Sequence, residues 1–159
     1  MIEALSLSSS GLDRLLRLNN AHAAELSWLT AEALRRLIET GFRATRIGEA
    51  DAMLVAFDQD ADYASPNFRW FQARYPRFVY VDRVVVAPEA RGRGLARMLY
   101  ADLFEAARKA GHRVVGCEVN SAPPNPASDA FHAGLGFQVV GEAALAGGEK
   151  AVRYHTLEL

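Results

Sequence analysis

Three arginines and two glycines lie together where a predicted strand runs into a predicted helix. Arg91, Gly92, Arg93, Gly94 and Arg97 form this turn, in a chain whose 18 Lys+Arg and 19 Asp+Glu give a formal net charge of −1. Glycine lets backbone N–H groups approach a ligand closely, and the first N–H groups of a helix have no intrahelical partners and lie at its positive end. The turn therefore predicts a binding site for a phosphate or pyrophosphate.

Two common nucleotide-binding motifs do not fit this turn. A P-loop requires Gly-x-x-x-x-Gly-Lys-[Ser/Thr], and no such string occurs in the chain. A dinucleotide motif requires a third small residue after Gly92-x-Gly94, but Arg97 stands there, and no acidic residue follows about twenty positions later at a strand end. ATP in a P-loop is therefore not expected, and NAD stays a weaker alternative.

Two strings in the second half of the chain resemble the signatures of one family. Arg91-x-x-Gly94-x-Ala96 resembles the [Gln/Arg]-x-x-Gly-x-[Gly/Ala] signature of the GCN5-related N-acetyltransferase (GNAT) family, where it binds the pyrophosphate of acetyl-coenzyme A (acetyl-CoA). Asn125-x-x-Ser128-x-x-Phe131-His132-x-x-Leu135-Gly136-Phe137 resembles the other signature of that family. The resemblance covers essentially the whole chain, because the predicted order of elements also matches the mixed sheet of the family.

The resemblance implies how acetyl-CoA binds. In the family, the strands before and after the phosphate-binding helix splay apart and the pantetheine arm lies in the gap. By resemblance, the backbone of Val84 and Val86 holds the arm, and the Val86 amide faces the thioester oxygen as an oxyanion donor. The expected cofactor-binding residues are Val84, Val86, Arg91, Gly92, Arg93, Gly94, Leu95, Ala96, Arg97, Asn125, Ser128, Phe131 and His132.

Three residues are candidates for proton transfer. An alkyl amine is mostly protonated at pH 7, so acetylation requires a base. Glu118 is the first candidate, because Cys117-Glu118-Val119-Asn120 resembles the Leu-Glu-Val-Arg strand of ribosomal-protein N-terminal acetyltransferases, where the Glu is placed to act as base. Asp82 is the second; four residues before Val86, it is expected to share a face with it, and a structural ion pair with Arg83 or Arg113 is its alternative role.

His132 stands where most of the family has Tyr, which often protonates the departing thiolate. An imidazolium, with a reference pKa near 6.5, can also donate a proton to a thiolate, whose acid has a pKa of about 8.5. We expect His132 to be this acid; packing against the cofactor is the alternative. Similar His-containing sequences occur in the phosphinothricin acetyltransferase group.

The chemical class of the acceptor is predicted from segments that vary within the family. Tyr63 and Trp70, with Phe71, are expected to line an apolar pocket, and Tyr154 to contact the acceptor. Asp58, Asp60 and Asp62 favour a cationic acceptor. The expected reaction is direct transfer to a primary amine of a small, amino-acid-like molecule. The alternatives are a protein N-terminus or lysine as acceptor, or a non-catalytic acyl-CoA-binding module.

The elements that must position these residues can be read from hydrophobic periodicity and turn residues. The pattern predicts one N-acetyltransferase domain over 1–159, of mixed α/β (α+β) class, with a mostly antiparallel twisted sheet, a splayed central parallel pair and flanking helices. The predicted elements are a strand at 2–7, a helix capped by Ser10, a helix capped by Thr30 and ending at Gly41, a hairpin of 42–48 and 52–57, one helical turn after Pro66, a strand at 78–87, a helix from Arg91 to Gly111, a strand at 113–119, a helix capped by Asn125 and ending near Gly136, and strands at 137–141 and 151–159.

Composition excludes several other classes. The absence of a basic excess argues against nucleic-acid binding, and the longest apolar run, 52–57, is too short to span a membrane. A single Cys117 and no basic, apolar leader predict a cytoplasmic protein. No metal is expected, because the four histidines have no metal-like spacing. Many members of the family are dimers, so a homodimer is compatible with the resemblance, although no residue pattern marks a dimer face.

Overall fold

The computed structural model describes the backbone of residues 1–159 and the side chains of 1–145 and 147–159. Seven strands and five helices follow the predicted order. Their bounds are β1 Ile2–Ala4, α1 Leu12–Ala21, α2 Ala31–Thr40, β2 Arg43–Ile47, β3 Ala52–Asp58, α3 Pro66–Gln72, β4 Val79–Val86, α4 Leu95–Lys109, β5 Val114–Ala122, α5 Pro126–Leu135, β6 Gln138–Leu145 and β7 Lys150–Glu158. Within the described residues, no helix is long and apolar enough to cross a membrane.

The strands form one sheet in the order β1-β2-β3-β4-β5-β7-β6. All neighbouring pairs are antiparallel except β4 and β5, which are parallel and connected through α4. This confirms the predicted mixed sheet with a central parallel pair. A parallel pair requires a crossover connection, and α4 supplies it.

The helices cover both faces of the sheet. On β2, Arg43 donates two hydrogen bonds of 2.8 Å to Asp102 of α4, whereas Arg46 donates to the Ser10 carbonyl just before α1. Side chains three positions apart on a strand point to opposite faces, so α4 and α1 lie on opposite sides. The buried core fills both layers, and α3 contributes to it with Phe68 and Phe71, which are fully buried.

Several predicted boundaries need correction. The first strand ends at Ala4 because Ser6, Ser8 and Ser9 bond to one another in a turn. Ser10 does not cap α1; Gly11 occupies that position without a side-chain cap. The segment after Pro66 forms a helix of seven residues rather than one turn. Thr30 and Asn125 cap α2 and α5 as predicted, accepting hydrogen bonds from backbone N–H groups three residues on.

A β-bulge at Asp82 marks the place where β4 and β5 separate. Val55 pairs with Arg83 and the adjacent Ala56 pairs with Val81, so Asp82 is an extra residue in β4. The parallel pairing with β5 involves only Val79 and Tyr80 and ends before the bulge. Bulges bend a strand and interrupt its regular alternation, and they often occur next to active sites. The result is an open gap between the two central strands.

Candidate active site

The arginine- and glycine-containing turn forms one end of the gap. Gly92 and Gly94 have φ values of 78° and 74°, and no atom lies within 4 Å of the position where a Cβ would stand. Gly94 precedes α4, whose start has no side-chain cap, so the first N–H groups of the helix are available to an anion. The helix begins at Leu95, four residues later than predicted, because the positive φ angles keep 92–94 outside it.

A cavity of about 330 Å³ opens at this turn. Its walls are Val86, Ala90, Arg91, Gly92, Gly94, Leu95, Ala96, Arg97 and Phe131. Arg93 is in a different position: it does not line this cavity, and its guanidinium lies 3.8 Å from Asp51. The structure therefore brings together most of the predicted pyrophosphate-binding residues and directs Arg93 away from them.

The inner edge of β4 offers unpaired amides to the gap. The Ala87 N–H donates to the Asp51 carbonyl (2.8 Å) on the β3 side of the strand. Successive N–H groups along a strand point to alternate sides, so those of Val86 and Val84 point away from β3 and into the gap. This is the orientation that an extended amide-containing arm and a thioester oxygen require.

Further cavities extend from the turn to the middle of the sheet and share walls. One of about 490 Å³ shares Val86, Arg91, Ala96 and Phe131 with the turn cavity. A smaller one of about 110 Å³ shares Val84, Asn125, Ser128 and His132 with it. A last one of about 80 Å³ shares Asp82, Arg83, Glu118 and Asn120 with the third. The cleft therefore runs from the phosphate turn to Glu118.

Glu118 lies in the wall between the last two cavities. Tyr80 donates its hydroxyl to Glu118 Oε2 (2.7 Å), and Asn67 donates its amide to Oε1 (3.1 Å). Burial raises the pKa of Glu118 to about 7, although these two hydrogen bonds oppose the shift. A carboxylate has lone pairs for about four hydrogen bonds, so Glu118 can still accept one from a ligand.

Asp82 is more fully engaged. Its two oxygens accept hydrogen bonds from the Tyr63 hydroxyl (2.5 Å) and from Arg83 Nε (2.7 Å). Arg83 in turn donates to the buried Asn19 of α1 at 2.8 Å. Asp82 also lines one cavity of the cleft together with Val84, which in turn lines the next cavity with Val86.

His132 is buried, 4% exposed, between α5 and α4. Its Nδ1 lies 2.8 Å from the Ser128 carbonyl and so carries the proton, and its Nε2 accepts the Tyr100 hydroxyl at 2.7 Å. Burial lowers the pKa of His132, and burial raises that of Tyr100. The resting site thus holds a neutral imidazole rather than the expected imidazolium.

The first two turns of α5 face the cleft beside His132. Asn125 and Ser128 line the cavities of about 110 and 490 Å³, and Phe131 lines those of about 490 and 330 Å³. Asn125 also caps the helix, accepting a hydrogen bond from the Ser128 N–H at 3.3 Å. The local cap therefore sets the position of the predicted cofactor-binding residues on this helix.

Only one of the three predicted acceptor contacts lines the cleft. Tyr63 lines the cavity of about 80 Å³. Tyr154 is 1% exposed and donates its hydroxyl to Asn67 (2.8 Å), while Trp70 stacks on the Tyr154 ring at 4.1 Å. Neither side chain faces the described cavities, because the pair packs between α3 and the sheet.

The expected apolar, acid-edged acceptor pocket is also not found in the described residues. Phe71 is fully buried, and Asp58 accepts a hydrogen bond from the Asp60 N–H (3.0 Å) in a turn. Asp62 lines a separate cavity between α2 and the turn. The cavity of about 80 Å³ beside Glu118 is instead mostly polar, with Glu118 and Asp82 among its walls.

Sequence reasoning missed four residues that border the site. Asn67 and Tyr80 hold Glu118, Tyr100 holds His132, and His22 accepts a hydrogen bond from Arg91 (Nη2 to Nε2, 3.1 Å). None belongs to either signature. A polar side chain in a helix otherwise packed by aromatic residues, such as Asn67, was the one available signal.

Comparisons with known proteins agree with this geometry. The sequence model of the acetyltransferase (GNAT) family matches residues 55–137, just over half of the chain. No curated protein sequence matches it. Among solved structures, the ribosomal-protein-alanine N-acetyltransferase from Brucella melitensis is 22% identical, with a TM-score of 0.75 and coverage of 100% of this chain and 99% of that one.

Two further structures were determined with acetyl-CoA. The yncA protein of Salmonella typhimurium is 20% identical, with a TM-score of 0.72 over 99% of this chain and 92% of that one. NAA60 of Arabidopsis thaliana is 14% identical, with a TM-score of 0.75 over 100% and 99%. These likenesses extend the shared fold beyond the residues that the family model matches.

The cleft also fits the donor that this family uses. The free N–H groups at the start of α4 suit the pyrophosphate of acetyl-CoA, and the unpaired amides of β4 suit its pantetheine arm. The chain therefore belongs to the GNAT family and is an acetyl-CoA-dependent N-acetyltransferase.

Proposed function

We propose that this enzyme transfers the acetyl group of acetyl-CoA to the primary amine of a small, polar molecule by direct attack in a ternary complex. The observation that carries the proposal is the position of Glu118, which lines both the cavity of about 110 Å³, here called the donor-side cavity, and that of about 80 Å³, here called the acceptor-side cavity. A base in this wall can reach an amine on one side while the thioester lies on the other.

Glu118 serves as the general base. A general base works best when its pKa is close to the working pH, and burial raises the pKa of Glu118 to about 7. The carboxylate takes a proton from the incoming ammonium group, directly or through one water, and leaves a neutral nitrogen. Asp82 acts on this step from a distance: bound by Tyr63 and Arg83, it shapes the cavity and adds negative charge beside Glu118.

Other groups of the donor site stabilise the charges that develop on the thioester oxygen and on the departing sulfur. Acetyl-CoA supplies an activated thioester and a thiol leaving group. The Val86 N–H is the oxyanion donor, and the His132–Tyr100 pair is the source of the proton for the departing sulfur. Because His132 is neutral at rest, the proton that it passes to the sulfur is the one that the attacking nitrogen loses once the new C–N bond has formed. A thiol has a pKa of about 8.5 and leaves without full protonation, so this pair contributes less than Glu118.

A small acceptor is favoured by the size and polarity of its cavity. The acceptor-side cavity measures about 80 Å³, and its walls are mostly polar. Lys150, at its rim, has no carboxylate within 4 Å among the described side chains and is free to attract an anionic group. These features suit an amino-acid-like amine.

A protein N-terminus is the second candidate acceptor. The strand sequence around Glu118 resembles that of ribosomal-protein N-terminal acetyltransferases, and the Brucella melitensis enzyme of that name shares the fold. A cavity that is small only at its inner end can also receive the first residue of a peptide. The non-catalytic alternative has less support, because a carboxylate with a pKa of about 7 lines the cleft.

An acceptor screen separates these functions. Purified enzyme is incubated with acetyl-CoA and either free amino acids and short amines or peptides with free Ala, Ser or Met N-termini, and thiol release is followed. Faster turnover with free amino acids or amines supports the proposal, and faster turnover with peptides overturns the acceptor class. Binding of acetyl-CoA without turnover on any amine indicates the non-catalytic module.

A further inference from the structure

We propose that Asn67 of α3 is a positioning residue that orients the Glu118 carboxylate and links it to Tyr154 of β7. The inference rests on the proposed role of Glu118 as base and deepens it. Asn67 lies outside both sequence signatures, 51 positions from Glu118 in the chain.

The contacts of Asn67 fix the direction of its amide. Its Nδ2 donates to Glu118 Oε1 (3.1 Å), and its Oδ1 accepts the Tyr154 hydroxyl (2.8 Å). A rotated amide would place its oxygen against the carboxylate, where two acceptors repel. The Glu118 carboxylate, which only accepts hydrogen bonds when ionised, therefore determines which atom of Asn67 faces it, and the buried Tyr154 hydroxyl donates to the remaining amide oxygen.

Close packing holds α3 at the distance that these hydrogen bonds require. The Phe71 ring lies so near Gly116 that a Cβ there would come within 2.4 Å of it, and Trp70 lies within 2.5 Å of a Cβ at Gly141. Both glycines thus leave room for α3 on the sheet. Trp70 also stacks on Tyr154 with an interplanar angle of 15°. Because the helix is seated in this way, Asn67 has little freedom to follow a displaced carboxylate.

Glu118 is held by hydrogen bonds from two elements, and each hydrogen bond acts on its proton affinity. Tyr80 of β4 and Asn67 of α3 donate to the ionised form, and both lower the pKa of Glu118. The other charged or titratable groups in the surrounding walls are Asp82 and Arg83 of β4, Tyr63 before α3, Glu25 before α2, Tyr154 and Lys150 of β7, His132 of α5, and Cys117 and Tyr100 on the opposite face. Asn67, like Tyr80, is uncharged, so its removal takes away a donor without taking away a charge.

The direct test is a carboxyl ¹³C titration of Glu118 by NMR, with the signal assigned through Glu118→Gln. Removing a hydrogen bond to a charged group disfavours the charged form. Asn67→Ala is expected to raise the midpoint of the Glu118 titration by about one pH unit, and Tyr154→Phe is expected to raise it by a smaller amount. Gln72→Ala, which removes an exposed amide from the same helix, should leave it unchanged. An unchanged midpoint in Asn67→Ala overturns the proposal.

The same variants separate a positioning role from simple loss of structure. The rate should rise with pH as the base loses its proton. In Asn67→Ala, the acid limb of the profile of kcat against pH should therefore move to higher pH, while KM for acetyl-CoA stays the same. If the Glu118 signal shifts but no variant or wild-type protein acetylates an amine, the hydrogen bond stands and the proposed function fails. If wild type is active and the limb does not move, the positioning role fails alone.

Discussion

The two ends of the cleft are built in different ways. At the phosphate end, residues 91–97 are contiguous, and the groups offered to a ligand are backbone N–H groups and exposed arginines. At the base end, Glu118 depends on Tyr80, Asn67 and, through it, Tyr154, which come from three other elements. The first site is encoded by a short string, and the second by long-range packing.

This difference has a functional consequence. A substitution at the phosphate end should change cofactor affinity while the fold persists. A substitution at the base end should change proton transfer or stability while cofactor affinity persists. Matched pairs of variants can test this separation.

The largest expected effect on cofactor affinity is at Gly94. Gly94→Val places a side chain where φ is 74° and in the path of the anion, and acetyl-CoA affinity should fall about 100-fold, or about 2.7 kcal/mol. Gly147→Val introduces the same backbone strain at φ 75° in the last hairpin. Calorimetric titration should show the loss of affinity only in the first variant; equal affinities would mean that the turn does not hold the cofactor.

The next largest effect concerns the seating of α3. Gly116→Ala forces a methyl group against Phe71 and should destabilise the protein by about 1–3 kcal/mol, with a lower kcat because Asn67 moves with the helix. Gly134→Ala, inside α5 with no atom within 4 Å, should instead stabilise it by about 0.5–1 kcal/mol. Urea denaturation measures both. A neutral Gly116→Ala variant would show that α3 is not tightly packed there.

The smallest effect is expected at His132. His132→Gln should lower kcat about tenfold, less than the 10²–10⁴ usual for a general acid, because the thiol is a good leaving group. His155→Gln is the control, since His155 is also buried, with its ring centroid 6.1 Å from that of His132, but lines none of the described cavities. Steady-state rates and acetyl-CoA affinities compare the two; an unchanged kcat would remove His132 from the mechanism.

Much of the fold could be predicted because its signals are local. Periodicity and turn residues gave the order of all the main elements, and caps at Thr30 and Asn125 marked two helix starts. The bulge at Asp82 could not be seen, since it depends on the register between β3 and β4. The full length of α3 was missed as well, because its stability comes from burying Phe68 and Phe71 rather than from helix-favouring residues.

In the site, as in the fold, the residues that local spacing identifies were predicted, and the residues that depend on long-range contacts were not. The phosphate turn and the residues of α5 were identified from their spacing. Trp70 and Tyr154 were expected at the acceptor, but their aromatic rings stack on each other. The contact that holds His132 could not be foreseen, because its partner Tyr100 lies 32 positions away in the chain.

The most direct test of the account is a comparison of catalysis and cofactor binding in Glu118→Gln. The rate of acetyl transfer should fall by at least about 100-fold, while the Kd for acetyl-CoA stays within about twofold of wild type. Glu25→Gln, an exposed glutamate lining the same cavities, should retain the wild-type rate. A Glu118→Gln enzyme that keeps its rate, or that loses acetyl-CoA binding together with its rate, would contradict the assignment of Glu118 as the base.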